Sequence, residues 1–126
     1  MKLISLFLIL CSQALANYEF NLLKQENDKM YVTLKQNGKA ITFEDLKTVH
    51  ESKLHVFIIS EDLEFYAHFH PQEEGNGVFS FQIPNLAKSK NYRVWGEFVN
   101  KKSSKPIYTS FDIISVKMEK IIPIYI

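Results

Sequence analysis

The amino-acid sequence predicts an all-β protein, an antiparallel sandwich of seven or eight short strands. Three observations carry that expectation. Apolar and polar residues alternate with a period of two in short runs, the pattern of strands with one face buried and the other wet. Turn signals rich in Asn, Gly, Asp and Pro separate the runs. No stretch sustains a convincing helical period.

Tyr18-Glu19-Phe20-Asn21-Leu22 opens the series, and Met30 to Leu34 follows the turn signal Glu26-Asn27-Asp28. Asn37-Gly38 marks a tight turn into Ala40 to Phe43. Glu44 to Val49 has room for a single helical turn. Leu54 to Ile59 is a β-branched, apolar run typical of a central strand, and Ser60 to Glu64 connects it to the aromatic-rich run Phe65 to His70. Glu73 to Gly77 reads as a polar turn before Val78 to Ile83, where Pro84-Asn85 ends the strand by removing a ladder donor. Tyr92 to Val99 and Ile107 to Val116 complete the set, separated by the polar loop Lys101 to Pro106. In the first of these, Tyr92, Val94 and Phe98 share one face on which Gly96 leaves room, while Arg93, Trp95 and Glu97 take the other. Strands of this number and spacing predict the immunoglobulin or fibronectin type of sandwich.

The chain has 126 residues, 46% of them hydrophobic, enough for one domain with its own core and too few for two. With 23% charged and 13% aromatic residues, a disordered chain is excluded. A formal charge of +1, carried by Lys with Arg93 as the single Arg, excludes the basic excess that nucleic-acid binding needs.

Residues 1–16 read as a signal peptide. Lys2 supplies a positive start, Leu3 to Leu10 an apolar run broken only by Ser5, and Ala14-Leu15-Ala16 the small-x-small cleavage pattern. Cleavage after Ala16 predicts a mature single domain over residues 17–126 that contains no cysteine and acts outside the cytoplasm, in the periplasm or secreted. Lipid attachment at Cys11 is the alternative, although Leu10 fits poorly where a small residue is wanted. The apolar run is too short to span a bilayer, so no membrane insertion of the mature chain is expected.

All four histidines, His50, His55, His68 and His70, fall within one window of twenty-one residues. In a strand, His68 and His70 project from the same face about 7 Å apart, close enough to converge on one ion. His55 begins the neighbouring strand, a turn over Leu63 to Phe65 pairs the two strands as a hairpin, and His50 lies in the approach loop. Imidazole nitrogen suits Cu, Zn, Ni and Fe, and the affinity order for a nitrogen-rich site places copper first, with zinc as the alternative. The competing reading makes His-x-His the polar side of an edge strand. Asp62, Glu64, Glu73 and Glu74 are nearby in sequence as supporting or oxygen-donating groups, whereas Met30 and Met118 are remote.

The stretch HESKLHVFIISEDLEFYAHFHP, His50 to Pro71, resembles the signature of a family of small exported bacterial Ig-like domains associated with copper and other heavy metals. Its elements are a His, Lys53-Leu54-His55, an apolar strand, Asp62-Leu63, Phe65 and a closing His68-Phe69-His70-Pro71, with Gly77, Phe79, Pro84, Tyr92 and Phe98 matching downstream. The resemblance covers Val49 to Val99 and implies a metal-binding role for His50, His55, His68 and His70. The chain departs from the pattern at Phe69, where a small aliphatic residue is common.

An enzyme is not expected. The sequence has no Ser-His-Asp or Cys-His arrangement, no Gly-rich phosphate cradle and no His-Glu-x-x-His, and only Glu73 beside a metal-bound water would offer a general base. Two functions remain as expectations. One is an exported copper-binding domain that sequesters the ion or passes it to a protein partner. The other is an Ig-like interaction or secreted effector module that grips a protein through strand edges or the Trp95 face.

Overall fold

The structure, a computed structural model, describes residues 17–115. The signal segment 1–16 with Cys11, the end of the strand expected to reach Val116, and Met118 lie outside the described residues. Among the described residues, no helix is long and apolar enough to cross a membrane.

Among the described residues, nine strands form two antiparallel sheets. In chain order they are β1 (Tyr18–Glu26), β2 (Lys29–Gln36), β3 (Lys39–Ala40), β4 (His55–Ser60), β5 (Tyr66–Phe69), β6 (Gln72–Gly75), β7 (Val78–Gln82), β8 (Tyr92–Val99) and β9 (Pro106–Ile113). One sheet runs β1-β2-β7-β6, with β3 paired to β2, and the other runs β5-β4-β8-β9. That is the strand order of an immunoglobulin sandwich with β5 as an added edge strand. Tyr92, at the start of β8, accepts a hydrogen bond on its hydroxyl from the Ala87 backbone N–H at 2.9 Å, the corner contact common in this architecture.

The alternation read from the sequence places the core. Met30, Val32 and Leu34 of β2, Val56 and Ile58 of β4, Phe79 and Phe81 of β7, and Val94 and Phe98 of β8 are buried between the sheets. Each such side chain stabilises the fold by about 1.5–3 kcal/mol when removed from water. Gly96 lies among them, and a Cβ there would stand 3.5 Å from both the Phe20 ring and Leu54, so the missing side chain lets both approach β8. Asn37 and Gly38, at φ 50° and 79°, form the two-residue turn that Asn-Gly favours. Gly77, at φ 74°, sits so close to Ala40 that a Cβ would come within 2.8 Å of the Ala40 Cβ.

Two elements differ from expectation. Glu73 to Gly75, read as part of a polar turn over Glu73 to Gly77, belong with Gln72 to the edge strand β6, held by pairing with β7 rather than by any apolar alternation of its own. The expected strand over Ala40 to Phe43 shortens to β3 and gives way to a 3-10 turn, Phe43–Asp45, in which the Asp45 carboxylate accepts from the Thr42 N–H at 2.9 Å. The single helical turn expected within Glu44 to Val49 overlaps this turn only at Glu44 and Asp45.

Candidate metal centre

The β4–β5 hairpin decides which side the histidines face. Phe57 pairs with His68 and Val56 with Phe69, so Val56 and Ile58 point into the core while His55, Phe57, His68 and His70 share the outer face. β5 ends at Phe69, and His70-Pro71 carries the chain from the edge of one sheet to the edge of the other, where Pro71 is buried. Three imidazoles meet there. One ring nitrogen from each of His55, His68 and His70 lies within 4.8 Å of the other two. The His70 ring stands edge-on to both partners with centroids 4.8 Å away, and His55 Nδ1 is 3.1 Å from His68 Nε2.

Backbone and aromatic neighbours fix two of these rings. His55, only 7% exposed, has its Nε2 2.7 Å from the Val49 carbonyl oxygen. A carbonyl only accepts, so Nε2 carries the proton and Nδ1 turns its lone pair toward the other two imidazoles. Backbone carbonyls commonly orient metal-ligating histidines in this way. His68 lies flat against Phe57, with centroids 4.4 Å apart and planes inclined by 7°, and Phe57 in turn stacks on Trp95 at 5.4 Å. Burial, with the neighbouring His70 and His55, lowers the His68 pKa below its ordinary 6.5, and Glu97 opposes that shift. The His68 ring is therefore neutral at neutral pH, as a metal ligand must be.

His50 does not join this trio. It lines the same cleft, of about 350 Å³, but lies outside the group of converging nitrogens. The reason is local: Val49 and Ser52 exchange backbone hydrogen bonds of 2.8 and 3.2 Å around a two-residue turn with His50 at φ 47° and Glu51 at φ 68°. Left-handed backbone at two consecutive non-glycine residues is uncommon, and here it brings the Val49 carbonyl to His55.

The carboxylates nearest in sequence are also elsewhere. Asp62 and Glu64 both pair with Lys90, at 2.7 and 2.8 Å. Glu73 accepts from the Phe43 N–H at 3.0 Å, and Glu74 lies on the opposite sheet beside Lys29. Met30 is buried in the core. The acid that does line the cleft is Glu97 on β8, the register partner of His55. Sequence reasoning placed it on the outer face with Trp95 but did not connect it to the histidines. The usable signal was that β4 and β8 are both central strands of one sheet, which puts their outward residues side by side.

Three imidazole nitrogen donors with an open cleft beside them can hold a borderline-soft cation and leave room for a further ligand. Residues 14–115 match the family described as a domain of unknown function, DUF8832. The chain belongs to the DUF8832 family. No curated protein matches it. The matched span contains every described strand of this DUF8832 domain and all three converging histidines.

Proposed function

We propose that this DUF8832 protein is an exported metal-binding domain that sequesters a copper ion, or passes it to a protein partner, through His55, His68 and His70, with zinc as the alternative ion. The convergence of three ring nitrogens within 4.8 Å carries the reading, and the Val49 carbonyl that turns the His55 lone pair toward the other two strengthens it. Copper comes first because imidazole donors follow the general affinity order that peaks at Cu(II). Two of the three ligands, His55 and His68, sit on strands of the sandwich, and strand-borne side chains are positioned more precisely than side chains on loops. Export rests on the signal-like segment 1–16.

The test is a titration of metal-free mature protein with Cu(II) and Zn(II), beside a His68→Ala/His70→Ala variant. The expected result is one tightly bound ion in the wild type and none above background in the variant. Equal uptake by both proteins would place any binding elsewhere and end the proposal. A second reading, an interaction module without metal, draws support from Tyr66 and Tyr108, 60% and 65% exposed on the same outer face as Trp95. It becomes the better one if the wild type binds no ion.

A further inference from the structure

We infer that Glu97 is the residue that sets the charge of the ion this site prefers, making it selective for divalent over monovalent cations. The inference rests on the triad being a metal site. His55 and Glu97 are directly opposite one another on β4 and β8, an arrangement that places Cβ atoms about 5 Å apart. Both side chains line the same cleft, and Glu97 is its single acidic lining residue. It is half-buried, and among the described residues no salt bridge engages it. The one lysine of the lining, Lys53, donates instead to the Phe43 carbonyl at 2.8 Å.

That placement matters because imidazole coordinates a metal in its uncharged form and so offers no compensating charge. A divalent ion held by imidazoles alone leaves two uncompensated charges in a partly desolvated cleft, and a monovalent ion leaves one. A fixed carboxylate nearby attracts the divalent ion twice as strongly, since Coulomb energy scales with the product of the charges. Of the three acids in the hairpin turn, Asp62 and Glu64 pair with Lys90 and Glu61 accepts from the Asn91 side-chain amide at 2.8 Å, so Glu97 alone supplies this preference at the cleft.

The experiment compares the wild type with Glu97→Gln, which keeps the side-chain shape, in competition titrations with Zn(II) and, under anaerobic reducing conditions, with Cu(I). Losing a supporting group around a metal site weakens affinity by about tenfold or more. Charge scaling then predicts about a tenfold loss for Zn(II) against about a threefold loss for Cu(I). Glu97→Asp, which keeps the charge, should restore most of the difference. A Zn(II) affinity unchanged by Glu97→Gln, or equal losses for the two ions, overturns this inference while leaving the histidine site intact. A wild type that binds neither ion removes both. Trp95 emission, two residues from the substitution on the same face of β8, confirms that each variant is folded.

Discussion

On the outer face of the β1-β2-β7-β6 sheet, the Glu74 carboxylate accepts hydrogen bonds from Ser80, from Gln72 at 3.1 Å and from Lys29 at 3.3 Å. Lys24 and Lys29 also lie over the Tyr31 ring, at 4.6 and 5.3 Å from its centroid. On the outer face of the β5-β4-β8-β9 sheet, three imidazoles crowd together beside a carboxylate that pairs with no cation among the described residues. Around Glu74 the first face is closed electrostatically, its carboxylate and the Lys29 ammonium being paired with each other. The second brings together lone pairs that have no protein proton to share beyond the His55–His68 contact. Structural faces settle their polar groups internally, whereas a binding face holds donors in reserve.

Three perturbations separate the faces, and metal loading is the largest. With free Cu(II) or Zn(II) at about a hundred times Kd, the wild type should gain about 2.7 kcal/mol in unfolding free energy, and His68→Ala/His70→Ala should gain nothing. Differential scanning calorimetry with and without the ion reads both values.

Acid is the next. The pKa of His68 in the fold lies below 6.5, so the unfolded chain takes up the proton first. Stability tied to this face is therefore complete above about pH 6.5 and lost as the pH falls below it, and bound metal leaves over the same range because protons compete for the imidazoles. Glu74, whose pKa is lowered from 4.5 chiefly by its Ser80 hydrogen bond, contributes stability that is present above pH 4.5 and lost only below it. Urea midpoints measured from pH 8 to 3 should fall in two stages, and His68→Phe should erase the first alone. A single stage near pH 4 would mean that the imidazole cluster is not coupled to folding.

The smallest effect is expected at the paired face itself. Glu74→Gln keeps the Ser80 and Gln72 contacts within reach while removing the charge. It should lower the denaturation midpoint slightly at pH 7 and leave metal affinity unchanged. A change in affinity would mean that the two outer faces communicate through the core.

Much of this contrast was legible in the residues. The period-two alternation around Val32, Val94 and Phe98 reported the buried faces because one side of every long strand packs on the core, and the continuous apolar run around Val56 marked a central strand. His68-Phe69-His70 announced a shared face because strand geometry repeats every two residues. Gln72 to Gly75 gave no such sign, since its strand character comes from pairing with β7. That His50 lies outside the converging group was not legible, because a His-Glu pair carries no signature of the left-handed turn it occupies. The Val49 carbonyl and Glu97 act through backbone position and cross-strand register, and neither is visible to a search for side chains close in sequence.

The ladder that sets Glu97 opposite His55 also has a kinetic side. His55 and His68 are thirteen residues apart and meet within one hairpin, whereas Glu97 is forty-two residues beyond His55. Closing the longer loop costs about 1 kcal/mol more chain entropy, and nonlocal contacts of this sort form late in β-rich chains. Nitrogen donors thus belong to the quickest-assembling portion of the polypeptide. The negative charge arrives only when the sheet's far half docks.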